Sequence, residues 1–123
     1  ILLCILISDQ VCSALLKPWV ARLRPCHEPS LASVIHLVGG CGGQFGFCSS
    51  HAANSFTLAV FLYLQYGKQH AWVKFLFPWA IIVSYSRIYV GVHYPGDVIC
   101  GAIIGSIAAY GVSKVYPNIL SSK

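Results

Sequence analysis

Residues 71–90 read AWVKFLFPWAIIVSYSRIYV, a predominantly apolar run broken only by Lys74, two serines and Arg87. At the 1.5 Å rise of an α-helix, about 20 such residues match the ~30 Å hydrocarbon core of a bilayer. Working outward, three further apolar segments cover Ile1 to Leu16, Ala52 to Tyr66 and Val98 to Val115, each nearer the lower limit for a span. Their edges carry local signals. Ser49 and Ser50 suit an N-cap before the second segment, Gly67 a stop after it, and Pro95 the first turn of the fourth. Pro78 lies within the third segment, where it would cost about 3 kcal/mol in a soluble helix but is tolerated in a membrane helix. Helices are the consistent reading, because an open sheet edge has no partner for its backbone in lipid. The expected fold is therefore all-α, a multi-pass transmembrane helical bundle.

Composition agrees: 57% of the 123 residues are hydrophobic and 9% charged, against about 25% charged in an average soluble domain. The net charge is +5, but the basic residues are scattered and form no polybasic run, which argues against nucleic-acid binding. The sequence contains no Met and opens inside an apolar run. The expectation is one membrane-embedded domain over residues 1–123, an N-terminally truncated fragment of a longer protein. The one long connection, Pro25 to Ser50, holds a short apolar stretch, Leu31 to Val38, read as a turn or two of surface helix, and then Gly39-Gly40-Cys41-Gly42-Gly43, read as a loop. A signal peptide is a poor reading of Ile1 to Leu16, which lacks a basic start and contains Asp9.

If the four segments cross the bilayer alternately, four stretches share one membrane face: Lys17 to Pro25, Ser49 to His51, Ser86-Arg87 and His93 to Asp97. The polar clusters able to do chemistry fall in those places. Lys17, Arg24 and Arg87 bring convergent cations, which call for an anion, and the start of the second segment adds amides and the hydroxyls of Ser49 and Ser50. Headgroup anchoring explains one such cation readily, but a convergent set much less well. His51 and His93 form the acid–base pair, and Asp97, four residues after His93, is placed to hold its ring. A structural His–Asp pair is the alternative for those two residues alone.

Lys17, six residues, Arg24-Pro25; Ser49-Ser50-His51; and Ser86-Arg87, five residues, His93, three residues, Asp97 together resemble the three-part signature of the type 2 phosphatidic acid phosphatase superfamily, which includes membrane lipid phosphatases and soluble vanadium haloperoxidases. The second part departs from Pro-Ser-Gly-His, with Cys48 and Ser50 replacing proline and glycine. The resemblance implies a metal-independent hydrolase of phosphomonoesters or pyrophosphates that needs no cofactor. In it His93 is the nucleophile, Asp97 holds its ring, and His51 is the acid and then the base. Lys17, Arg24, Arg87, Ser49 and the amide of Ser50 bind the phosphoryl oxygens. It also implies a six-helix core, of which this chain would hold the last four helices. The implied partners are a lipid phosphate substrate and membrane lipids: a polyprenyl pyrophosphate, phosphatidylglycerophosphate, phosphatidic acid or lipid A phosphate. The sequence leaves oligomeric state open. A phosphotransferase using the same phosphohistidine and a non-catalytic membrane scaffold are the rival readings. The soluble composition of a haloperoxidase is not present.

Lys68, Lys74, Lys114 and Lys123 lie opposite this face, so the positive-inside rule puts the active site on the extracytoplasmic side of a cell membrane. On that oxidising side Cys26 and Cys41, both in the long connection, either pair as a disulfide or stay free, with Cys48 a poorer partner. Cys4, Cys12 and Cys100 read as small apolar fillers. Asp9 and Asn54, at membrane depth, are expected to pair inside the bundle. His27 and Glu28 border the site-side loop, whereas His36 and His70 have no motif around them.

Overall fold

The computed structural model describes residues 1–31 and 45–115. Helix α1 (Leu2–Gln10), a π-helical stretch (Val11–Leu16) and α2 (Lys17–Val20) form one rod. Short 3-10 turns follow at Pro25–His27 and Pro29–Leu31. Helix α3 spans Ser50–Tyr66 and leads through a 3-10 stretch, Ala71–Phe75, into α4 (Leu76–Tyr89), after which α5 spans Pro95–Val115. Among the described residues the only β-pairing is an isolated antiparallel bridge between Leu23 and Phe45. The all-helical expectation therefore holds. Among the described residues two helices, Leu2–Val20 and Pro95–Val115, are long and apolar enough to cross a membrane.

Two boundaries differ from the sequence reading. The first helix does not stop at Leu16 but continues to Val20, ending at Ala21 in the left-handed region with φ 50°, where the Ala21 N–H bonds the Lys17 carbonyl at 2.9 Å. Pro18 is accommodated in the first turn of α2, directly after the widened π-helical stretch, where a missing N–H matters least. Residues 71–90 are not one α-helix either. Pro78 falls in the first turn of α4, whose amides have no intrahelical partner in any case, so the proline marks a start instead of an interior kink. The 14 residues of α4 reach only about 21 Å at 1.5 Å per residue. Residues 32–38 of the short apolar stretch and the glycines at 39, 40, 42 and 43 lie outside the described residues.

The largest helix interface is between α3 and α5. Gly101, Gly105 and Ala109 recur every fourth residue on one buried face of α5. A Cβ at Gly105 would collide with the Ala53 carbonyl oxygen; one at Gly101 would meet the Ser49 carbonyl and lie 3.2 Å from the Ala53 nitrogen. Glycine is required at both because two helix backbones approach there, the usual way apolar helices gain packing where lipid offers no hydrophobic drive. Thr57 seals the seam: its hydroxyl lies 2.7 Å from the Ala53 carbonyl and 3.1 Å from the Gly105 carbonyl. At the top of the seam the Ser49 N–H donates to the Asp97 carbonyl at 3.0 Å, which fixes the start of α3 against the start of α5. The first rod joins through Ser8, whose hydroxyl donates to Asn54 Oδ1 at 3.0 Å. Ser8 thus satisfies Asn54 inside the bundle. Facing outward, Ile81, Ile82 and Tyr85 of α4 and Ile99, Ile103 and Ile107 of α5 are exposed, a surface suited to lipid.

Candidate active site

Each piece of the site is delivered by an ordinary local device. Ser49 is the N-cap of α3, its buried hydroxyl accepting from the Ala52 N–H at 3.3 Å. Ser50 turns toward the first rod, where Lys17 Nζ donates to its Oγ at 3.2 Å and Ser13 Oγ lies 3.1 Å away. His51, one residue into α3, is exposed. Lys17 and the α3 start are thereby held in one place although 33 residues separate Lys17 from Ser50.

The strap after α2 pairs with the segment leading into α3: the Gly46 N–H donates to the Arg22 carbonyl at 3.0 Å, and Arg24 Nε donates to the Phe45 carbonyl at 3.4 Å. A Cβ at Gly46 would stand 2.7 Å from Arg24 Cγ and 3.5 Å from His93 Nδ1, so this glycine lets the backbone pass beside both side chains. Burial lowers the Arg24 pKa from its ordinary value, and Asp97 opposes that shift; a guanidinium stays charged regardless.

The third piece folds back on the end of α4. Gly91, at φ 77°, allows the reversal, and the Arg87 carbonyl accepts from the N–H groups of both Val92 and His93 at 3.2 Å. His93 is buried at 3% exposure and Asp97 at 1%. His93 Nδ1 stands 3.5 Å from Asp97 Oδ2, an electrostatic contact just short of an aligned hydrogen bond. The same carboxylate oxygen accepts the Tyr94 N–H at 2.8 Å, and Oδ1 is engaged by Arg22 Nη2. The Arg22 guanidinium lies 5.2 Å from the Phe47 ring centroid and 4.9 Å from that of Tyr94.

Partial desolvation lowers the His51 pKa from its ordinary value, and the charges of Arg87, His93, Lys17 and Arg24 lower it further. Arg87 Nε and His93 Nδ1 are buried without an aligned hydrogen-bond partner among the described residues. A buried donor left unsatisfied costs about 1–3 kcal/mol, so Arg87 is suited to an arriving acceptor. The structure thus brings Lys17, Arg24, Ser49, Ser50, His51, Arg87, His93 and Asp97 to one end of the bundle, although they come from four separate parts of the chain. Ser50 differs from expectation in one respect: its hydroxyl is taken up by Lys17 and Ser13.

Sequence reasoning missed Arg22, Gly46 and Ser13. A signal for Arg22 existed, since a carboxylate buried at the head of a helix demands a counter-charge and the chain has only three acidic residues. Cys26 is disulfide-bonded; Cys41, its expected partner, lies outside the described residues, as does His36. Cys4, Cys12, Cys48 and Cys100 are free, the first three fully buried, and Cys12 and Cys48 pack with Ala53.

A histidine beside a buried carboxylate, with a second histidine and several cations at the same end of an apolar helical bundle, is a histidine site whose charge suits an anion. Comparison with known families gives the particular lineage: the PAP2 superfamily model matches residues 1–120, and the chain belongs to that superfamily. Among curated relatives it is similar to a lipid A 4'-phosphatase of Bacteroides thetaiotaomicron, 47% identical over 113 residues that cover 89% of this chain and 49% of the relative. A lipid A 4'-phosphatase of Porphyromonas gingivalis is 40% identical, covering 94% and 49%. An undecaprenyl-diphosphatase of Sulfolobus acidocaldarius is 38% identical, covering 71% and 40%. The chain spans about half the length or less of these relatives. No solved structure matches.

Proposed function

We propose that this chain carries the active site of an integral-membrane lipid phosphate phosphatase that works through a phosphohistidine without a metal ion. The observation that carries the reading is the buried His93, its Nδ1 3.5 Å from Asp97 Oδ2, on the turn that follows Arg87, whose buried Nε has no aligned partner among the described residues. With Nδ1 turned to Asp97, His93 has Nε2 free as nucleophile. Nε2 attacks phosphorus, an N–P bond forms, and the bond from phosphorus to the leaving oxygen breaks as His51 gives that oxygen a proton. His51 then takes a proton from water. The resulting hydroxide attacks phosphorus, the N–P bond breaks, and inorganic phosphate leaves with His93 restored. Lys17, Arg24 and Arg87, with Ser49 and the Ser50 amide, stabilise the charge on the equatorial oxygens, an effect commonly worth about 2.7–4 kcal/mol per donor.

The apolar walls suit an amphiphile, and the names of the relatives at 47% and 40% identity make a lipid A phosphate the first substrate to try, with polyprenyl diphosphate second. We also propose that all four apolar segments cross the membrane, as part of the six-helix core that the family resemblance implies, with the site on the extracytoplasmic side. An impermeant substrate offered to intact cells reads out that placement. The decisive test of the chemistry is phosphate release by the purified protein from a panel of lipid phosphates. His93→Ala should abolish release while membrane insertion persists, and the wild type quenched in turnover should carry acid-labile phosphate on His93. Turnover retained in His93→Ala overturns the assignment.

A further inference from the structure

We propose that Arg22 is a positioning residue for this reaction: it sets the Asp97 carboxylate, and through it the tautomer and orientation of His93, while Phe47 and Tyr94 form the slot that aims its guanidinium. The inference rests on the phosphatase reading above. Asp97 Oδ2 has two tasks, accepting from the Tyr94 N–H at 2.8 Å and facing His93 Nδ1 at 3.5 Å. The terminal torsion of an aspartate is broad and nearly two-fold, so Oδ2 faces the ring persistently only if Oδ1 is also held. Arg22 Nη2 is the group that holds it.

The aiming of Arg22 is built at three levels. Its carbonyl is tied to the Gly46 N–H at 3.0 Å, which fixes the backbone of the strap. Its guanidinium lies near the rings of Phe47 and Tyr94, at 5.2 and 4.9 Å from their centroids, and these come from the segments leading into α3 and into α5. Its partner carboxylate is 1% exposed with Arg22 in place, so the guanidinium and not solvent meets Oδ1. Losing one member of such a pair leaves a buried charge uncompensated. Arg24 also feels the Asp97 charge, but Arg22 is the cation in direct contact with that carboxylate. A lysine would supply charge but no planar fork for the aromatic slot.

The experiment uses the protein purified in detergent, with Arg22→Gln and Arg22→Lys made in wild-type and Asp97→Asn backgrounds, read by phosphate release and by 15N NMR of labelled histidines. Arg22→Gln should lower kcat about 10- to 100-fold with KM within about twofold of wild type. Arg22→Lys should recover part of the loss. In the Asp97→Asn background Arg22→Gln should cost nothing further, because the two residues act as a unit. The NMR spectrum should show the His93 proton on Nδ1 in the wild type and a mixture of tautomers in Arg22→Gln. A raised KM at unchanged kcat would mean that Arg22 touches substrate, and an equal loss in both backgrounds that it acts without Asp97; either overturns the proposal, as do unchanged kcat and tautomer. If the wild type releases phosphate from no lipid phosphate, the phosphatase reading fails, and the tautomer comparison still decides whether Arg22 positions His93.

Discussion

Replacing Gly105 with alanine adds one methyl group to a helix whose intrinsic propensity the change improves, yet it should destabilise the protein. The new Cβ would fall on the Ala53 carbonyl oxygen and 2.8 Å from Thr57 Oγ1. The obstacle is backbone, so relief requires α5 to move away from α3. Overpacking of this kind costs about 1–3 kcal/mol, and displacing the Thr57 hydroxyl from the Gly105 carbonyl forfeits a bond worth about 1 kcal/mol. Against this stands a helix-propensity gain of up to about 1 kcal/mol. Gly111 supplies the control, since a Cβ there meets nothing within 4 Å. Gly111→Ala should therefore keep the whole propensity gain. Two chemically identical substitutions six residues apart on α5 should differ by about 2–4 kcal/mol, read by SDS titration of the micellar protein with far-UV circular dichroism. The chemistry should follow the packing. The seam ends in the Ser49 N–H to Asp97 carbonyl bond, so opening it moves His51 away from His93, and misplacement by about 1 Å can cost on the order of 100-fold in rate. Equal stability of the two variants, or full activity in Gly105→Ala, would refute the argument that close backbone approach of these helices builds the site.

Three other outcomes follow from the same geometry. Arg87→Gln should lower kcat by about 10²–10³-fold, and Arg87→Lys should recover less than an equal charge suggests, because a lysine lacks the planar fork that meets two phosphate oxygens in parallel; steady-state kinetics on a lipid phosphate checks both. Turnover should persist in EDTA, since in the proposed mechanism side-chain cations meet the phosphoryl oxygens, and a loss restored by a divalent metal would contradict the mechanism. Peptide mapping without reductant should find Cys26 linked to Cys41, with Cys12 and Cys48 alkylated only after denaturation because both are fully buried.

What could be read from the sequence divides along a physical line. Apolar segments and their starts are local facts: Ser49 announces a cap and Pro95 a first turn whatever the rest of the chain does, and both stand where expected. Pro78 is local too, but it only marks a discontinuity; which side of it is helical depends on which amides find partners, and that is settled by packing. The glycines at 101 and 105 are visible as a spacing, yet nothing in the spacing says that Ala53 and Thr57 will be the surface they admit. The site follows the same rule. Its histidines and grouped cations are visible because the chain carries so few charges, eight basic and three acidic residues, that those grouped at helix ends are conspicuous. Arg22 escaped because its contact is with a residue 75 positions away. It lies between Lys17 and Arg24, where a reading by motif treats it as filler. Electrostatics does better: once Asp97 is placed buried at the head of α5, its charge must be answered, and Arg22 is the one cation on that face that the proposed phosphate contacts leave unassigned. In apolar chains with few charges, balancing each buried acid against the remaining bases should expose positioning residues of this kind from the sequence alone.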